Sequence, residues 1–80
     1  MTDEYADYRE TMYRTVEEFR LPDVPEEGTG DRDLILMRYD GESTVIAENV
    51  TLADAQAYCS RDDTHGEGWF VGYDLAANRQ

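Results

Sequence analysis

The chain has no lysine; all seven of its basic residues are arginine, set against nineteen Asp and Glu. A net charge of -12 on 80 residues repels a phosphate backbone and excludes ordinary nucleic-acid binding, leaving a protein with a basic surface as the natural partner. There is one cysteine, Cys59, so no internal disulfide is available, which fits a reducing compartment. No apolar run approaches the roughly 18 residues of a membrane span. The start, Met1-Thr2-Asp3-Glu4, lacks the basic and apolar regions of a secretion signal. These absences lead to the expectation of a cytoplasmic protein with no cofactor and no membrane contact. Arginine without lysine fits either a GC-rich genome or a halophile's acidic surface.

The residues present suffice for one domain spanning 1–80, with 40% hydrophobic residues and nine aromatics. Residues 1–20 hold a helix, read from residue 3 onward, with Tyr5, Tyr8, Met12, Val16 and Phe19 as its apolar stripe. Residues 21–33 form an acidic connector with two prolines and two glycines, which reads as an irregular linker or exposed loop. Residues 34–74 carry a ββαβ core, and residues 75–80 read as a frayed tail.

Within the core, Leu34 to Tyr39 and Ser43 to Ala47 read as strands around Asp40-Gly41, a pair that signals a two-residue type I′ hairpin. That loop predicts Tyr39 opposite Glu42, Met37 opposite Thr44 and Ile35 opposite Ile46. Leu34, Leu36, Val45 and Ala47 would then share the main core face. Thr51 to Asp54 reads as a capping box opening a helix from Leu52 to Ser60 that buries Leu52, Ala55 and Cys59. Arg61 to Gly68 reads as a polar loop and Trp69 to Tyr73 as the last strand.

The fold class is therefore α+β: an α-β-β-α-β domain with two helices and a three-stranded antiparallel sheet of order 2-1-3. The central strand is apolar on both faces, so both faces need a cover. The second helix takes one; the first helix is the candidate for the other, and a homodimer partner is the alternative.

Three constellations carry functional readings. Asp3, Asp7, Glu10 and Glu17, with Glu18 beside them, form an acidic helix face spanning roughly 21 Å at ~1.5 Å per residue. Such a row, broken only by Arg14, could imitate a few phosphates of a nucleic-acid backbone, or is simply a solvated face. Residues 1–31 carry -7 and residues 32–80 carry -5, so the acidity is general rather than confined to one patch. Cys59, Asp62, Asp63 and His65 lie within seven residues. Metal sites draw on paired Cys or His, and nucleophilic catalysis needs an orienting group and an oxyanion donor; neither is recognisable here. No catalytic or metal residue is assigned. Trp69, after Gly66-Glu67-Gly68, is either core or an exposed anchor. The candidate partner-binding residues are Asp3, Asp7, Glu10, Glu17, Glu18, Met37, Tyr39 and Trp69.

The stretch from the hairpin to Asp74 contains a Thr51-Leu52-x-x-Ala55 helix, a Cys59-Ser60-x-x-Asp63-Thr64-His65-Gly66 loop and a Gly68-Trp69-Phe70-x-Gly72-Tyr73 strand. This pattern, over residues 34–74, resembles small proteins of bacteriophages and prophages of GC-rich actinobacteria. The first helix and the connector lie outside it. The resemblance brings no catalytic or binding residue with it. It implies an accessory protein acting in a host cell, by binding or inhibiting a host protein. The alternatives are a nucleic-acid mimic that blocks a DNA- or RNA-binding host factor, and a small metal-binding or catalytic protein using Cys59 and His65.

Overall fold

The computed structural model describes residue 12 and residues 14–78. The first helix, α1, is described at residue 12 and over residues 14–18. Met12 is buried, and Val16 and Phe19 pack against the core, as their spacing requires. Tyr5 and Tyr8 lie outside the described residues. The helix ends in a Schellman pattern: Leu21 N–H donates to Val16 O at 3.0 Å and Arg20 N–H to Glu17 O at 3.1 Å. Arg20 takes the left-handed position usual for glycine, with φ 55°. The turn drives Leu21 into the core, and Pro22 forbids continuation.

Strands β1 (Arg32–Arg38), β2 (Ser43–Val50), β3 (His65–Gly66) and β4 (Trp69–Leu75) form one antiparallel sheet of order β2-β1-β4-β3. The three long strands have the expected order with β1 in the middle. The expectation of three strands is corrected to four: His65 and Gly66, read as loop, fold back onto Phe70 and Trp69 through a Glu67-Gly68 turn. A two-residue strand leaves no periodicity for sequence to display.

The first hairpin also differs from expectation. Gly41 N–H donates to Arg38 O at 3.0 Å and Arg38 N–H to Glu42 O at 2.8 Å, so the loop is Tyr39-Asp40-Gly41. Only Gly41 has positive φ, at 102°, whereas a type I′ loop needs two such residues. Asp40 Oδ1 accepts from Glu42 N–H at 3.1 Å and steadies the alternative turn. The register shifts by one: Met37 faces Ser43, Leu36 faces Thr44 and Ile35 faces Val45.

A bulge then restores the core. Leu34 pairs with Ala47, so Ile46 is an extra residue on β2, and both Ile46 and Ala47 are buried. Val45, expected inside, lies instead on the opposite face beside Ile35. A second irregularity, with Asn49 at φ 54°, brings Val50 into the core opposite Arg32.

Helix α2 (Leu52–Cys59) is capped as expected, with Thr51 Oγ1 accepting from Asp54 N–H at 3.1 Å. Its buried residues are Ala55 and Tyr58, whereas Leu52 is 39% exposed and Cys59 half-buried. The Tyr58 hydroxyl donates to Pro22 O at 2.9 Å, which settles how an amphipathic phenol enters the core ahead of an aliphatic residue.

The core lies between one sheet face and a layer made of α1, the connector and α2. Leu34, Leu36, Ile46, Ala47, Val50 and Val71 meet Leu21, Ala55 and Tyr58 there, with Phe19, Val24 and Trp69 at its margin. Each large aliphatic fully withdrawn from water contributes about 1.5–3 kcal/mol. Phe19 and Trp69 pack in a tilted pair with ring centroids 5.1 Å apart, which ties α1 to this face. The expectation that α1 covers the other face is thereby corrected.

Residues 21–31 are not a loose linker. Glu27 Oε2 accepts from Glu48 N–H at 2.7 Å, and Gly28 and Gly30 N–H both donate to Asn49 O, at 2.7 and 3.0 Å. Gly30 passes so close to the Val50 carbonyl that a Cβ would overlap it. The expected tail is structured over residues 75–78, since β4 runs to Leu75, a 3-10 turn follows at Ala76–Asn78 and Ala76 N–H donates to Asp31 O at 2.7 Å.

Candidate functional site

Alternation along the strands fixes what the second sheet face displays. Cross-strand partners share a face, so Ile35, Met37, Val45, Phe70 and Gly72 lie together on the side away from the helices. Met37 Cε lies over Gly72 with Phe70 alongside. Tyr39, at the end of β1, stacks on Phe70 with ring centroids 5.8 Å apart. Its N–H donates to Gly68 O at 3.0 Å, which ties the two hairpin loops together at one end of the sheet.

Tyr39 is 74% exposed, while Ile35, Met37, Val45 and Phe70 are half-buried. None of the four belongs to the core cluster or to the residues packed against it. Ser43, opposite Met37, and His65, opposite Phe70, share this face, so the result is an apolar patch with polar margins and a tyrosine at its edge, on an otherwise acidic molecule. Contiguous apolar surface on a small domain marks a protein, membrane or ligand contact or an aggregation-prone site.

The structure therefore brings two of the sequence candidates together, Met37 and Tyr39, and adds Phe70 and Val45. Phe70 was legible in principle, since a sheet order of 2-1-3 sets β4 beside β1 and puts one of Trp69 and Phe70 on each face. Val45 was not, because its face depends on the three-residue loop that shifts the register by one. Trp69 lies on the opposite face, half-buried against Phe19, with Arg38 over the Phe19 ring at 5.1 Å. That arrangement makes it part of the core margin. Glu17 and Glu18 are exposed on α1, while Asp3, Asp7 and Glu10 lie outside the described residues.

The Cys59 to His65 segment is built as a turn. Thr64 is buried, and its hydroxyl donates to Arg61 O at 2.7 Å. The Arg61 guanidinium forks onto Asp63, with both contacts at 2.9 Å, and its hydrogen bond holds the Asp63 carboxyl below the usual range. Burial pushes the Cys59 thiol up, which disfavours the thiolate that nucleophilic or metal chemistry needs. His65 is exposed on β3. No group of three His, Cys, Asp or Glu among the described residues is placed to hold a metal ion.

A shallow groove of about 230 Å3 runs between the connector and α2, lined by Asp23, Pro25, Asp54, Ala57, Tyr58 and Arg61. Its one buried polar group, the Tyr58 hydroxyl, already donates to Pro22 O. No described helix is long and apolar enough to cross a membrane. Comparisons with protein-family models, curated proteins and solved structures found no match.

Proposed function

We propose that this chain is a non-enzymatic interaction protein that docks on a basic protein surface through the open sheet face of Ile35, Met37, Val45 and Phe70, with Tyr39 at its edge. The observation that carries this reading is that face: apolar side chains half-exposed, on a molecule that otherwise presents carboxylates. Apolar contact supplies affinity there, and the net charge of -12 selects and steers a basic partner. A second copy is the wrong occupant, because two such charges repel. The reading agrees with a phage-type accessory protein that binds or inhibits a host protein. Nucleic-acid mimicry would instead rest on the acidic surface alone and leave this face idle.

The test compares the parent with a Met37→Ser/Phe70→Ser variant as bait for host proteins. Both side chains are half-buried, so the melting temperature should fall; the comparison is made where circular dichroism shows both baits folded, and Tyr39→Ser, at a side chain 74% exposed, is the second variant. The parent should retain a basic protein that salt elutes, and the variant should lose it. Equal retention by both baits overturns the face as the docking site.

A further inference from the structure

The edge of β2 is closed over half its length and open over the other half. β2 has one neighbour, β1, so its outer edge depends on other segments for hydrogen bonds. At residues 48 and 49 the connector supplies them: Glu27 takes the Glu48 N–H, while Gly28 and Gly30 donate to the Asn49 carbonyl. Over residues 43–47 no described segment does so. The bond from Arg38 N–H to Glu42 O makes those two a hydrogen-bonded pair. By antiparallel alternation, Leu36 and Thr44 form the next such pair, and Ser43 and Val45 aim their N–H and C=O groups outward.

Natural edge strands are protected by charge, proline or cover. Residues 43–47, Ser-Thr-Val-Ile-Ala, contain neither charge nor proline. On the other side β3 pairs only with Trp69 and Phe70, and the stretch of β4 beyond it carries an acidic residue, Asp74.

The charge around the open stretch is of one sign. Residues 39–60 contain Asp40, Glu42, Glu48 and Asp54 and no basic residue; the connector clamped beside them, residues 21–31, adds Asp23, Glu26, Glu27 and Asp31 and again no basic residue. Arg38 pairs with Glu42 and Arg32 with Asp31 from β1, which leaves the flank strongly negative. That field repels a second copy of the chain and attracts a cationic strand.

We infer that the edge of β2 over residues 43–47 accepts an extended, Lys- or Arg-bearing segment of a partner protein as an added strand. The inference rests on the reading of the chain as an interaction protein and names its binding mode. The sheet would grow to five strands. The main-chain groups of Ser43 and Val45 would supply the ladder, and the apolar side chains of the guest would extend the face of Val45 and Ile35. Alternate basic residues would meet the carboxylates at the two ends of the edge.

The probe is a short, end-blocked peptide of alternating Lys and Val, followed by fluorescence anisotropy at low salt. Expected results are binding by this peptide, none by the Glu-Val counterpart, and slowed amide exchange at Ser43 and Val45. N-methylation of the residues facing β2 keeps charge and side chains but blocks the ladder; it should weaken binding about tenfold or more for the loss of two hydrogen bonds. Ser43→Pro, at the first position of an edge strand, should do the same without unfolding the chain. If the methylated and parent peptides bind alike, the contact is electrostatic only and strand addition is overturned. No binding at all also overturns it, as does a concentration-dependent dimer that Ser43→Pro dissolves. None of these outcomes touches the docking face, because Met37→Ser/Phe70→Ser is scored separately on the captured partner.

Discussion

Asp33 and Tyr58 are polar groups that the core uses, and neither stands out in the sequence. Asp33 is 2% exposed, and its carboxylate accepts from Asn49 N–H at 3.1 Å across the second irregularity of β2. Without an acceptor there, the left-handed Asn49 would leave a part-buried donor unmet. An acid before a Leu-Ile-Leu run reads as the end of a loop, because its value depends on a bulge in another strand. Hydropathy favours Cys59 over Tyr58 for the core, yet Tyr58 is the buried one. Its burial, and behind that the Asp63 charge, pushes the phenol pKa above its ordinary 10.0. The folded state therefore holds its proton where the unfolded chain releases it. Stability from this source is full below about pH 10 and is lost progressively above that, because the native state then binds more protons than the unfolded one. Tyr58→Phe should lose about 1 kcal/mol at neutral pH with the bond to Pro22 O. It should then fall less steeply than the parent in thermal melts between about pH 9 and pH 11. Parallel curves for the two proteins would refute the assignment; any slope left in the variant belongs in part to the Cys59 thiol, which burial shifts the same way.

Elements were legible where they obey a period or form a bounded apolar run. α1 follows a 3.6-residue pattern, β1 and β4 are short apolar runs bounded by turn residues, and Thr51 announced the start of α2. What sequence missed was non-periodic: the turn at residues 39–41, the bulge at Ile46, the clamp of residues 27–30 and the two-residue β3. The consequence for the candidate site is direct, since one extra residue exchanges Val45 and Ile46 between faces. The hairpin supplies a sharp test. In the observed loop only Gly41 needs the left-handed region, and Asp40 anchors Glu42 N–H. Gly41→Val should therefore cost about 1–3 kcal/mol. That corresponds to a fall of at least 4 °C or so in melting temperature for a domain of this size. Asp40→Gly should also lower it, because it removes an anchor and adds backbone freedom. A stabilising Asp40→Gly would mean the loop is type I′ after all.

At the scale of the whole molecule, two demands conflict. A net charge of -12 resists compaction, yet the same charge steers a basic partner. The ion pairs of Arg32, Arg38 and Arg61 do not resolve the conflict, since each joins residues within four positions along the chain and so ties no distant elements together. Local exposed pairs of this kind contribute little to folding. Cohesion falls to the single core and to backbone bonds such as those from Gly28 and Gly30 to Asn49 O, which bring carboxylate-rich residues 21–31 against a carboxylate-bearing strand. Raising sodium chloride from about 0.05 M to about 1 M shortens the Debye length to ~3 Å and screens that repulsion. The melting temperature should rise over this range, while association with the basic partner or the Lys-Val peptide should slow. Opposite responses to one variable separate long-range charge from short-range contact. A melting temperature that is flat or falls would show that the carboxylates are already compensated within the fold. A partner association rate indifferent to salt would show that apolar contact alone, at the face of Met37 and Phe70, selects what this protein binds.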